Sequence, residues 1–456
     1  MFENMNYKLA CTLAFTALFS VGAANAKPGA APPKGLDKIG HIIVIYLENH
    51  SFDNLYGLFP GADGIAQAKP GNTLQVDANG KTYTHLPSVM DTRRQPPVLD
   101  TRFPQDLPNK PFLIDQYVPD DQKIGDLVHR FHQHQMQIND GAMNRFAEVS
   151  DAGGLVMGYY DGRKLPLWQY AKRYTLADHF FQAAFGGSFL NHLWLACACT
   201  PRYDNAPEEL KALVNDQGEP VKDPPVTQDG FAVNPLFPSQ GPLPGGAGKK
   251  RLPPLTEPTL GDRLSGKGVD WAWYAGGWND AVAGHPDPLF QFHHQPYVYF
   301  KRYSAESEER AKHLKDLADL LAGIDKGELP PVVFYKPIGA LNEHPNYADV
   351  LSGDRHIADL LGKLERSALW KDSVVIVTYD ENGGFWDHAP PPKGDRWGPG
   401  SRVPTLIVSP FARHGQVDAT VYDTTSILKL IENRFGLEPL GERDAKANSL
   451  AKALKL

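Results

Sequence analysis

Two seven-residue runs constrain this chain more than anything else in it: His41–Leu47 (HIIVIYL) and Ser373–Tyr379 (SVVIVTY). Neither alternates apolar with polar side chains, so both faces of each segment must be covered. Runs of this kind are strands of a sheet buried on both sides, and such sheets are mostly parallel with helices on either face. Residues 332–335 and Thr405–Val408 read as further strands, and the alternating 271–274 (WAWY) as another. Residues 305–322, 354–369 and Thr424–Phe435 carry helical spacing, the last with Asp423 as a cap. The order of elements predicts an α/β fold with a largely parallel central sheet flanked by helices. The Pro-, Gly- and Asp-rich stretches near 60–115 and 200–256 read as loop excursions from a single domain spanning 27–456.

Both defining runs end in acid. The first leads into Glu48-Asn49-His50-Ser51-Phe52-Asp53, the second into Asp380-Glu381-Asn382-Gly383-Gly384 and then Phe385-Trp386-Asp387-His388. Open α/β sheets bind ligands beyond the carboxyl ends of their strands. Glu, Asp and Asn oxygens gathered there suit a hard divalent cation, and paired glycines let the chain turn away from it. Either cluster alone reads equally well as a loop cap; two of the same kind point to one metal site. Asp387 reads as orienting a loop or ligand rather than binding metal.

A nucleophile is also legible. Residues 180–185 (FFQAAF) read as a strand, after which Gly186-Gly187-Ser188 opens a helix over 189–194. A serine there meets free backbone N–H groups and the positive helix end, which favour an alkoxide or a bound phosphate. An N-cap serine is the plainer alternative, and the two acidic clusters tip the reading towards chemistry. The turn Gly276-Gly277-Trp278-Asn279 offers Asn279 as a weaker phosphate contact.

Composition narrows the class. The chain has 46 basic and 53 acidic residues, a net charge of −7, which gives no electrostatic case for nucleic acid or an anionic membrane. Lys8, the apolar run 9–21 and Ala24-Asn25-Ala26 read as a cleavable secretory signal peptide over 1–26, so an exported protein without a stable membrane anchor is expected. Two of the three cysteines, Cys197 and Cys199, lie beyond it and read as small buried side chains on a helix rather than a disulfide. His85, His313, His356 and His414 read as structural. Nothing in the sequence bears on oligomeric state.

Five segments then go further: ENHSFDNLYG at 48–57, HRFHQHQMQINDGAMNRF at 129–146, GGSFLNHLWL at 186–195, FQFHHQPYVYF at 290–300 and DENGGFWDHAPPP at 380–392. In order and across nearly the whole mature chain, they resemble the bacterial phosphoesterase family that joins secreted acid phosphatases with phosphocholine-type phospholipases C. That family's core is similar to alkaline phosphatase and the arylsulfatases. The resemblance implies that Ser188 is the nucleophile and forms a phosphoseryl intermediate. It implies that Glu48, Asn49, Asp380 and Glu381, with Ser188, hold one divalent metal ion (Ca, Mg, Mn or Zn). It implies that His129, His293, His294 and His344 contact the phosphoryl oxygens or leaving group, with Asn191 and His192 as further substrate contacts.

Ser188, His192 and His293-His294 resemble the acid phosphatase branch; the phospholipase branch often carries Thr at the position of Ser188 and Arg at that of His50. The expectation is an exported, metal-dependent acid phosphatase acting on small phosphate monoesters. Phospholipase C cleavage of phosphodiester head groups is the alternative, and a non-catalytic periplasmic phosphate-binding protein is the alternative of another class. Histidines working as cations would favour an acidic optimum.

Overall fold

A computed structural model describes residues 34–242 and 250–456, so the signal-peptide reading of 1–26 lies outside the described residues. Strands β1 (His41–Leu47), β2 (Thr175–Ala177), β3 (Trp271–Ala275), β4 (Leu314–Asp316), β5 (Val332–Lys336), β6 (Ser373–Tyr379), β7 (Thr405–Val408) and β8 (Gln416–Asp418) form one sheet in the order β4-β3-β5-β1-β6-β7-β2-β8. Neighbours run parallel except β7, which is antiparallel to both β6 and β2. The strand pair that the apolar runs predict, β1 and β6, lies in the middle and is buried along its length save for His41. Each Ile or Val covered there contributes about 1.5–3 kcal/mol, a strong preference for this register over one that exposes a face.

Helices pack in pairs around the sheet: Pro166–Arg173 against Val350–Arg366, and Ser188–Cys197 against Thr424–Phe435. Thr424–Phe435 has the predicted bounds, with the Asp423 carboxylate accepting from the Thr425 N–H. The helix expected over 354–369 starts earlier, at Val350, because Asp349 caps it. The helix expected over 305–322 is broken in two, Glu308–His313 and Leu317–Lys326, with β4 between them. Asp316 ends β4 and caps the second helix, accepting from the Ala318 N–H. The strand expected over 180–185 is only Phe180–Phe181, since the Gln182 amide takes over, donating to the Ala184 and Gly186 carbonyls.

Cys197 and Cys199 are joined in a disulfide, against the sequence reading. The helix stops at Cys197, and Ala198 enters the left-handed region (φ 49°), so the chain doubles back and brings the two Cα atoms to 5.2 Å. The regular spacing assumed from sequence does not hold there. Both loop excursions reach the carboxyl edge of the sheet. Asn72 donates to the His388 carbonyl (2.9 Å), and the Asn234 carboxamide oxygen accepts from the Phe131 N–H (3.1 Å).

Candidate active site

Leu47 pairs with Tyr379 in parallel register, so Glu48 and Asp380 leave the sheet side by side. The Asp380 N–H donates to the Leu47 carbonyl (3.1 Å) and the Asn49 N–H to Asp380 Oδ1 (3.3 Å). Glu48, Asn49, Asp380 and Glu381 are all completely buried. Asn49 sits at φ 66°, a left-handed conformation that Asn adopts more readily than most side chains. Gly383 (φ 62°) is needed opposite it: a Cβ there would collide with the Asn49 carbonyl.

Ser188 is the first residue of its helix and makes no capping bond. Its hydroxyl instead donates to Asn49 Oδ1 at 3.2 Å, which disposes of the N-cap alternative. Ser188 faces a cavity of about 330 Å³ whose walls include His129, His293, His344, Tyr347, Asp126 and Phe189. A larger cavity, about 560 Å³ beside Lys393 and Lys446, contains none of the expected site residues. Gly186 (φ 83°) lets the loop pass the Phe131 backbone, which a Cβ would approach to 2.6 Å.

Three residues expected to touch substrate are placed otherwise. Asn191 braces the nucleophile loop: its carboxamide accepts from the Ala184 N–H (2.9 Å) and donates to the Ala184, Gly186 and Gly187 carbonyls. His192 is fully buried under Ser188, Nδ1 lying 2.7 Å from the Ser188 carbonyl and 3.6 Å from Asp380 Oδ2. Asn279 is exposed, its N–H donating to Asp316 (3.0 Å), and it does not line the cavity around Ser188.

The remaining histidines divide. His129, His293 and His344 line the cavity, whereas His294 lies behind it, with Nε2 against Glu48 Oε1. Burial drives His293 well below its usual value and His294 down to about 4, so both are neutral imidazoles near pH 7. The expected set of cationic histidines is not assembled. His129 moves the other way: burial opposes its charge, but Glu381 (2.6 Å from Nδ1) and Asp126 (3.5 Å from Nε2) outweigh burial and raise it.

The donor set fits a divalent cation. Asp380 Oδ2 is buried without a hydrogen-bond partner, Glu48 Oε1 meets Lys336 and His294, and Glu381 Oε1 meets His129; buried carboxylates gathered in this way cost several kcal/mol unless cations face them. Burial, with Glu48 and Glu381 adding to it, pushes the Asp380 carboxyl up to about 8 despite Lys336 nearby. Ligand atoms of Glu48, His192 and Asp380 lie within 4.8 Å of one another, a spacing that one ion could span.

The sequence reading missed the residues that hold this arrangement. Lys336 ends β5 with its Nζ 2.9 Å from Glu48 Oε1. A charged residue directly after an apolar strand is the signal that found Glu48 and Asp380, and it applies equally to Lys336. Asn342 donates to Glu48 Oε2 (2.8 Å) and accepts from the His344 N–H (3.0 Å). Asp387 orients its loop as expected, paired with the buried Arg402 (2.8 Å) and accepting from the Asp53 N–H (3.1 Å). Asp53 accepts in turn from the His388 N–H (2.8 Å), so the two acidic loops are tied to each other.

The sequence profile of the Phosphoesterase family matches residues 39–438, a span containing every one of these groups. The chain belongs to the Phosphoesterase family. This phosphoesterase is 23% identical to a non-hemolytic phospholipase C of Pseudomonas aeruginosa over 460 residues, covering 92% of the chain and 57% of that protein. It is 26% identical to phospholipase C A of Mycobacterium tuberculosis over 456 residues, covering 90% of the chain and 75% of that protein. The chain thus spans little more than half the length of the Pseudomonas relative. Among solved structures, a lipoteichoic acid synthase of Listeria monocytogenes aligns at 9% identity and a TM-score of 0.35, covering 92% of this chain and 79% of the other. A Vibrio parahaemolyticus protein of the alkaline phosphatase superfamily aligns at 10% identity and a TM-score of 0.35, covering 64% and 65%.

Proposed function

We propose that this protein is an exported, metal-dependent phosphoesterase that attacks phosphorus with the Ser188 hydroxyl, and that its substrates are phospholipid-type phosphodiesters. The observation that carries the reading is the Ser188 hydroxyl, which bonds to Asn49 beside the buried Glu48 and Asp380 carboxylates instead of capping its own helix. A divalent ion held by Glu48, Asn49, Asp380 and Glu381, with His192 adjacent, would neutralise phosphoryl charge and lower the serine's pKa.

The chain's own groups supply the rest. Asn49 Oδ1 aims the serine hydroxyl, and the free N–H groups of the first helical turn give fixed donors to the phosphoryl oxygens. His293 and His344 at the cavity wall bind those oxygens. The Ser188 proton passes to solvent as the bond to phosphorus forms, and His129, held between Glu381 and Asp126, protonates the departing oxygen as the bond from phosphorus to the leaving group breaks. Water then releases the phosphoryl group from Ser188.

The diester preference draws on the names of the relatives, both phospholipases C, and on the apolar walls Leu127, Phe189 and Tyr347 beside the histidines. It replaces the monoester preference expected from the pattern around Ser188 and His192. Export rests on the residue pattern at 1–26; among the described residues no helix is long and apolar enough to cross a membrane. Hydrolysis of phosphatidylcholine vesicles and of a soluble aryl phosphate monoester, each before and after chelation, tests the reading. Vesicle cleavage that chelation abolishes is expected. Fast monoester hydrolysis with inert vesicles would return the protein to the acid phosphatases.

A further inference from the structure

Lys336 has no exposed surface at all. It closes β5, a neighbour of β1, and its Nζ lies 2.9 Å from Glu48 Oε1, 3.8 Å from Asp380 Oδ2 and 3.3 Å from the Leu47 carbonyl, with the Tyr46 ring 5.4 Å away. A lysine is seldom buried completely unless it is paired, and this one is paired with two carboxylates of the proposed metal site. We propose that Lys336 is the site's built-in cation: it faces Glu48 and Asp380 while the protein is free of metal, and it holds the site's affinity for a divalent ion below what those carboxylates alone would give. The inference rests on the metal reading given above and adds to it the residue that tunes the site's metal affinity.

Glu48 and Asp380 have no exposed surface, and Lys336 Nζ lies within 4 Å of both. Lys336 and the metal also repel each other across a few ångströms of protein, so the lysine holds metal affinity below what the carboxylates alone would give.

Metal content by mass spectrometry, Mn²⁺ titration, and the melting temperature of metal-free protein together test this on wild type, Lys336→Met and Lys336→Arg. Lys336→Met should bind Mn²⁺ about tenfold or more tightly, while its metal-free form melts lower; Lys336→Arg should stay close to wild type in both respects. A lysine with a purely structural role would lower stability without tightening metal binding. Unchanged or weaker Mn²⁺ binding by Lys336→Met would therefore overturn the proposal. If Lys336→Met does not fold, the double variant Lys336→Met/Glu48→Gln decides: recovery of the metal-free fold supports charge compensation, and failure to recover it contradicts it. A wild-type protein that binds no Mn²⁺ would defeat the metal reading itself, whereas the metal-free melting temperatures judge the lysine separately.

Discussion

Asn342 shows how a residue that need not meet the substrate can govern the chemistry. Its carboxamide donates to Glu48 and accepts from the His344 N–H, while its backbone carbonyl accepts from the Glu48 N–H at 2.9 Å. One side chain therefore fixes both a proposed metal ligand and a histidine of the cavity wall. Outer partners of this kind are worth about 10–100-fold in metal affinity. Asn342→Ala should lose metal affinity by about that factor in a competition titration, with a smaller change in melting temperature. Wild-type affinity in that variant would mean Glu48 holds its position without help.

At the scale of elements, the two acidic loops owe their fixed geometry to ion pairs between them. Arg402, fully buried, pairs with Asp387, and Asp53 Oδ2 accepts from both the His388 N–H and its imidazole Nδ1 (2.6 Å). Burial alone would lower His388, but Asp53 outweighs it and holds the imidazole at about 9, above its ordinary 6.5. A group raised in the folded state stabilises fully below its unfolded pKa, and that contribution fades as pH rises through the folded one. Wild type should therefore exceed His388→Gln in urea stability by ~2 kcal/mol near pH 6, and the gap should narrow near pH 10. An equal gap at both pH values would contradict the pairing.

These same elements show what the sequence could tell. β1 and β6 were legible because a strand covered on both faces must be apolar throughout, and Thr424–Phe435 because its cap is adjacent in sequence. The break at Asp316 was hidden because a capping aspartate looks like any solvent-facing acid on a longer helix. The disulfide was hidden because one left-handed residue, Ala198, undoes the periodicity that argued against it. Lys336 could be flagged by its place at a strand end, but its partners Glu48 and Asp380, like Arg402's partner Asp53, lie far away along the chain, which local patterning does not encode.

On the scale of the whole molecule, the sheet does one thing for function: it delivers β1, β5 and β6 side by side to a single edge. There Glu48, Lys336 and Asp380 converge, and the Ser188 helix meets them through Asn49. The central claim is that Ser188 takes the phosphoryl group at that edge. Peptide mapping of acid-quenched enzyme during turnover of a phosphoester tests it most directly. The account predicts a phosphoryl adduct on Ser188 that needs divalent metal to form, with Ser188→Ala inactive yet still able to bind metal. An adduct on another residue, or a Ser188→Ala variant with full activity, would contradict it.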